Sequence, residues 1–203
     1  TAIGVSIVLQ NVAMMIWGRQ YIPFPDILPH EPIHLGSVTF LPVQGVIVGL
    51  SGVLMVGLLL LVHHTRLGRA MRATAQAPSV ARLMGVSADR VIASTFVIGS
   101  VLAAVAGVMV TANYGQAHAY MGFMLGLKAF SAAVLGGIGN LAGAVVGGLL
   151  LGLIESLGAG YIGDVTGGFL GSQYQDVFAF LVLILVLVFR PSGLLGERLA
   201  DRP

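Results

Sequence analysis

The sequence predicts an all-α, polytopic transmembrane helical bundle, and three observations carry that prediction. Charged residues make up only 9% of the 203 positions, against about 25% in an average soluble domain. Hydrophobic residues make up 57% and the mean hydropathy is +0.96; a soluble fold needs far more polar surface than this. Uncharged runs long enough to cross a bilayer recur along the chain, and its 29 glycines match the glycine enrichment of membrane helices. The net charge of +2 says little as a total. There are no cysteines, so no disulfide framework exists. The arginines are few and lie between apolar runs, which argues against nucleic acid as a partner.

Thr1 to Trp17 is apolar and uncharged, with neither a basic n-region nor a cleavage site, so it reads as membrane segment and not as signal peptide. With no initial Met, the chain is expected to lack an earlier part. Residues 18–42 hold five of the eight prolines, Pro23, Pro25, Pro29, Pro32 and Pro42, a density that forbids regular helix. They read as an ordered loop with a short strand at His34 to Phe40. Gly45 to Val62 is an 18-residue uncharged span, and Val91 to Ala112 a second of 22. Asn113 to Gly122 is polar and aromatic. Ala129 to Ile154 is uncharged but broken near its middle by Gly136, Gly137, Gly139 and Asn140, which predicts two helical arms around the break. Gly158 to Gln173 reads as a Gly-rich connector, and Tyr174 to Pro191 brackets a last apolar helix.

Orientation follows from the basic residues, since short loops rich in Lys and Arg stay in the cytoplasm. Arg66, Arg69, Arg72, Arg82 and Arg90 place the 63–90 loop inside, and Arg190, Arg198 and Arg202 place the C-terminus inside. Residues 18–42 carry Arg19 against Asp26 and Glu31 and fall outside. The parity closes if the two arms of 129–157 enter and return to the outer side, as full spans or as a re-entrant hairpin.

The broken run carries a ladder of small residues: Gly139, Gly143 and Gly147, and beside it Ala144, Gly148 and Gly152. Residues four apart share a helix face, and small ones let two backbones approach in lipid. Packing inside the subunit is the plainer reading; a surface facing a translocation path or a second subunit is the functional one. In the basic loop, Pro78 suits a first helical turn, Gly85 a helix stop, and Ser87 a cap for the membrane helix that follows. That segment is either a solvated loop or a short helix docking a cytoplasmic partner. No G-x-x-x-x-G-K-[ST] phosphate loop occurs, so ATP-driven work requires a separate subunit.

Lys128 and Glu155 bracket the broken run, and charges within apolar stretches are costly and tend to be paired or functional. For a chain that folds back at Gly139–Asn140, Lys128 lies about 16 Å and Glu155 about 22 Å from the turn, at ~1.5 Å per residue. A Lys128–Glu155 pair is within reach; separate snorkelling to the interface is the reading set ahead of it. His63 and His64 read as interfacial anchors. His30, His34 and His118 lack metal-ligand spacing, and the remaining acids Asp26, Glu31, Asp164 and Asp176 read as scattered. No catalytic arrangement emerges.

The stretch GRAMRATAQAPSVARLMGVSADRVIASTFVIGSVLAAVAGVM (68–109), then GLKAFSAAVLGGIGNLAGAVVGGLLLGLIES (126–156), resembles the permease subunits of branched-chain amino-acid ABC importers, and of these the LivH-like member. The likeness runs over nearly the whole chain, including GRQYIPFP (18–25); AAVLGGIGN (132–140) is its more specific part. The resemblance implies one transmembrane permease domain over 1–203, lacking N-terminal helices, in a bacterial inner membrane. It implies a second, LivM-like permease, two cytoplasmic ATPase subunits that bind the ATP and Mg, and an extracytoplasmic substrate-binding protein. No cofactor is expected in this chain. The ATPase-coupling helix maps onto roughly Gln76 to Asp89, with Gln76, Ala81, Arg82, Gly85 and Asp89 as the residues concerned. Ala81 and Gly85 keep the A-x-x-x-G part of the coupling motif, while the glutamate that opens its general version is absent.

A branched-chain amino acid is apolar in its side chain but zwitterionic, so it requires a shielded path. Asn140 is the candidate to line it, against the reading that it is a turn residue. Three other functions stay open: a same-family permease for urea or short amides, an ATP-independent carrier or channel, and a non-transporting scaffold.

Overall fold

A computed structural model describes residues 2–25, 33–35, 38–165 and 174–196. The chain forms two compact units, Thr1–Gly122 and Phe123–Pro203. The first contains α1 (Ala2–Trp17), α2 (Pro42–His64), α3 (Arg66–Gln76), α4 (Pro78–Leu83) and α5 (Ala88–Tyr114), with, among the described residues, the short strands β1 (Ile22–Pro23), β2 (Ile33–Leu35), β3 (Val38–Phe40) and β4 (Gln116–Ala117). The second contains α7 (Leu141–Val165), α8 (Gln175–Phe189) and nearly all of α6 (Met121–Gly136). The architecture is a helical membrane bundle. Pro42–His64, Ala88–Tyr114 and Leu141–Tyr161 are long and apolar enough to cross a bilayer; α1, α6 and α8 are apolar but shorter.

The long helices turn their apolar side chains outward. The most apolar stretch of α2 buries none of its residues within the chain, and Val48, Val53 and Val56 are exposed along it. Burial of such surface in water is what drives soluble folding. Here the matching solvent is hydrocarbon, and the hydrogen bonds of each helix are closed within the segment.

In the first unit the expected spans extend by a few residues at each end. Pro42 opens α2 at a position where its missing N–H costs nothing. The strand expected at His34 to Phe40 is instead a hairpin, with Ile33, His34 and Leu35 opposite Phe40, Thr39 and Val38. A second antiparallel pair sets Ile22 opposite Ala117 and Pro23 opposite Gln116. In the second unit, α7 continues through Val165, past the connector expected from Gly158. Asp26, Pro29, His30, Glu31, Pro32, Arg198, Arg202 and 166–173 lie outside the described residues, as do the side chains of His34 and Asp164.

The chain reverses between α2 and α3 at Thr65. Its hydroxyl donates to the Leu61 carbonyl at 2.6 Å and accepts from the Gly68 N–H at 3.0 Å, which caps α3. A Cβ at Gly68 would fall on the backbone carbonyls of Leu61 and Val62, whereas one at Gly57, mid-α2, meets nothing within 4 Å. Gly68→Ala is therefore expected to cost about 1–3 kcal/mol through overpacking. Gly57→Ala is expected to be neutral or to gain up to about 1 kcal/mol of helix propensity. Thermal unfolding of the two variants in detergent checks the contrast.

Candidate functional site

The coupling residues named from the sequence lie on a compact turn of the first unit. Gln76 is exposed at the end of α3. Ala77 follows, and Pro78 starts α4. Then α4 is closed by two bonds: the Gly85 N–H reaches the Arg82 carbonyl at 3.0 Å, and the Val86 N–H reaches the Ala81 carbonyl at 3.0 Å. This is the Schellman pattern, which requires a left-handed residue after the cap; Gly85 supplies it with φ +83. Ala81 is 4% exposed, and Thr74, Ala88 and Val91 are also buried, in the three helices α3, α4 and α5 that pack on one another.

Arg82 Nη2 lies 3.0 Å from Asp89 Oδ1, linking the last turn of α4 to the first turn of α5. The pair is exposed and contributes at most about 1 kcal/mol. Ser87 does stand at the N-cap of α5, but its side chain makes no cap bond; Asp89 occupies the first turn, where a negative charge favours the helix N-terminus. The outward face of α4 carries Val80, Leu83 and Met84, exposed at 56%, 87% and 80%. The motif positions are not those of this apolar face, although Val80, Leu83 and Met84 carry the i, i+3, i+4 spacing of one helix face.

In the second unit the break after Gly136 is a reversal between α6 and α7. Gly137 (φ +112) and Gly139 (φ +93) make the turn in conformations that L side chains avoid. A Cβ at Gly136 would fall on the Gly143 carbonyl, and one at Gly147 on the Ala132 carbonyl. Gly136, Gly143 and Gly147 are thus the contact by which α6 and α7 cross. Asn140 caps α7, its Oδ1 accepting from the Gly143 N–H at 3.0 Å. Its Nδ2 donates to the Leu195 carbonyl at 2.8 Å. Both ends of the amide are engaged in holding the turn, which is the geometry of a turn residue. The segment after α8 completes the junction: Leu194 and Leu195 donate their N–H groups to the carbonyls of Leu135 and Gly136, each at 2.9 Å.

Lys128 and Glu155, for which separate snorkelling was the favoured reading, meet in the structure. Lys128 Nζ is 3.0 Å from Glu155 Oε2 and 2.8 Å from Asp176 Oδ1. Asp176, read as scattered, is the partner that the sequence reasoning missed. An acid opening an otherwise uncharged helix was the available signal. His63 turns Nδ1 to its own helix, donating to the Leu59 carbonyl at 3.0 Å. His118, just after β4, stacks on Tyr120 with ring centroids 5.4 Å apart and meets Tyr21 in a tilted contact at 4.6 Å.

Adjacent glycines on α7 separate the two faces of the helix. Gly147→Ala, which drives a methyl into the Ala132 carbonyl, is expected to cost about 1–3 kcal/mol. Gly148→Ala meets only the Ala132 Cβ at 3.7 Å and is expected to be neutral or stabilising by up to about 1 kcal/mol. Asn140→Ala loses the cap and the bond to Leu195 and is expected to cost about 1–3 kcal/mol. Thermal unfolding in detergent ranks the three.

Residues 1–187 match the family described as branched-chain amino acid transport system / permease component. The chain is 43% identical over 203 residues to the high-affinity branched-chain amino acid transport system permease protein LivH of Escherichia coli, covering 97% of this chain and 63% of that protein. It is 44% identical over 201 residues to BraD, the corresponding permease of Pseudomonas aeruginosa, again over 97% and 63%. It is 27% identical over 147 residues to the ribose import permease RbsC of Escherichia coli, over 70% of this chain and 44% of that protein. No solved structure matches. The chain spans 63% of the length of LivH and BraD, and it belongs to the branched-chain amino acid transport permease family.

Proposed function

We propose that this chain is a membrane-spanning permease subunit of an ATP-driven importer for leucine, isoleucine and valine. The observation that carries the reading is α4. It is a single short helix, closed at its end by the Schellman bonds at Gly85 and bridged to α5 by the exposed Arg82–Asp89 pair, with Val80, Leu83 and Met84 exposed on it and at its C-cap. An apolar face held rigid before binding loses little entropy on docking, which suits a transmitter of force from a separate motor. The names of LivH and BraD supply the solute class.

In this reading the 63–90 loop and the C-terminus lie in the cytoplasm, residues 18–42 lie outside, and the membrane is a bacterial inner membrane. The chain works beside a second, LivM-like permease and two ATPase subunits that bind ATP and Mg, and a binding protein delivers the solute from outside. ATP binding closes the ATPases, and α4 passes that movement to α3 and α5, against which it packs. The match to a ribose permease favours one alternative: the same architecture serving another small solute, such as urea or a short amide.

The test is uptake of radiolabelled leucine by vesicles holding the full-length subunit with its companion permease, ATPases and binding protein. Uptake is expected to require both ATP and the binding protein. Leu83→Glu places a charge on a side chain already 87% exposed. It is expected to leave the subunit folded and to lower uptake at least about tenfold, the factor that 1.4 kcal/mol of lost docking represents. Uptake indifferent to ATP overturns the proposal in favour of a carrier or channel. ATP-dependent uptake of urea or an amide without leucine keeps the architecture and changes the solute.

A further inference from the structure

In α6, α7 and α8 charge is scarce. Lys128 is the one charged residue of α6 and Asp176 the one charged residue of α8. In α7, Glu155 stands with Asp164, whose side chain is outside the described residues. Three helices thus contribute one charge each to a single point, with Lys128 Nζ 3.0 Å from Glu155 and 2.8 Å from Asp176. The side chains of Lys128 and Glu155 are 27% and 17% exposed. Among the described residues, Glu155 Oε1 is buried without a hydrogen-bond partner, and Asp176 Oδ1 meets Lys128 as an ion pair without hydrogen-bond geometry.

We infer that Lys128, Glu155 and Asp176 form a charge lock that sets the rotation and axial register of these three helices. Helices that are apolar all round carry no stripe to say which face belongs inside. In lipid there is also no hydrophobic force between them. Packing of small residues fixes α6 against α7 near Gly136, Gly143 and Gly147. That contact does not include α8, whose Ala179, Leu183 and Val186 pack against Leu135 and Leu151; the charges add a directional tie to this packing. An ion pair has a direction that dispersion lacks, and a single buried polar group is known to select register in coiled helices. Lys128 lies on the same face of α6 as Ala132 and Gly136, four and eight residues on. The lock therefore extends the glycine seam and adds α8 to it.

The lock is also unequal. One ammonium serves two carboxylates, so the cluster carries an excess negative charge. Removing one carboxylate leaves a neutral pair; removing the ammonium leaves two carboxylates facing each other without compensation. The cluster is partly buried, with Asp176 the most open at 37% side-chain exposure, and deleting one partner of such a pair is costly in proportion to the charge left behind. The cost thus falls on Lys128 and spares Glu155 and Asp176 taken singly. None of this depends on which solute is carried or on ATP.

The experiment is thermal unfolding of the full-length protein in lipid nanodiscs. Lys128→Met and Lys128→Glu are each expected to lower the midpoint by roughly 10 °C or to abolish accumulation. Glu155→Gln and Asp176→Asn are each expected to stay within about 3 °C of the parent. Lys128→Glu combined with Glu155→Lys restores a lysine between two carboxylates and is expected to recover at least half of the loss. A swapped double variant no better than Lys128→Glu overturns the lock. So does a Lys128→Met protein as stable as the two carboxylate variants, since independent interfacial charges predict that result.

Discussion

The second unit depends on one constraint: where a helix ends among apolar neighbours, its last carbonyls must find donors inside the protein. Water supplies them in a soluble fold, and hydrocarbon does not. α6 stops at Gly136 because the backbone angles of Gly137 and Gly139 lead out of the helix. The carbonyls of Leu135 and Gly136 are then left over, and the N–H groups of Leu194 and Leu195 meet them. Gly137, Gly193 and Gly196 are glycines at the places where these two backbones nearly touch; a Cβ on Gly137 or Gly193 would overlap the opposite strand of chain. Asn140 closes the other side, serving the start of α7 and the Leu195 carbonyl with one amide.

Much of this was legible in the sequence, and the reasons differ by element. The spans α2 and α5 announce themselves by length and lack of charge, which are one-dimensional properties. The stop of α4 was legible because Gly85 obeys a local rule of backbone angle. The break at 136–140 was legible for the same reason. The partners across the break were not, since Leu194 and Leu195 engage through their backbones and any residue type can do that. The hairpin of β2 and β3 was read as one strand because three-residue strands are too short for alternation to register.

The charges teach a different lesson. A lysine and a glutamate 27 positions apart fall near each other once the turn between them is fixed, so their distance was calculable. Whether they meet depends on rotation about two helix axes, and the signal for it lay in the small residues: Lys128 shares a face with Ala132 and Gly136, and Glu155 with Gly143 and Gly147. Asp176 belongs to a helix whose placement was not calculable at all, and it completes the cluster. The segment from Gln76 to Asp89 shows the complementary case. Its named positions, Ala81 and Gly85, shape the helix, while the face offered outward is made by Val80, Leu83 and Met84.

The closure of α6 by Leu194 and Leu195 bears on biosynthesis. A ribosome adding about 5–20 residues per second needs roughly 3 to 12 s to travel from Gly136 to Leu194. Through that interval the end of α6 has been made and its natural donors have not. The nascent helix must keep those carbonyls near the headgroups, in the translocation machinery, or against a provisional partner. The junction is thus a late step of assembly, and the order in which this protein is built differs from the order in which its helices appear.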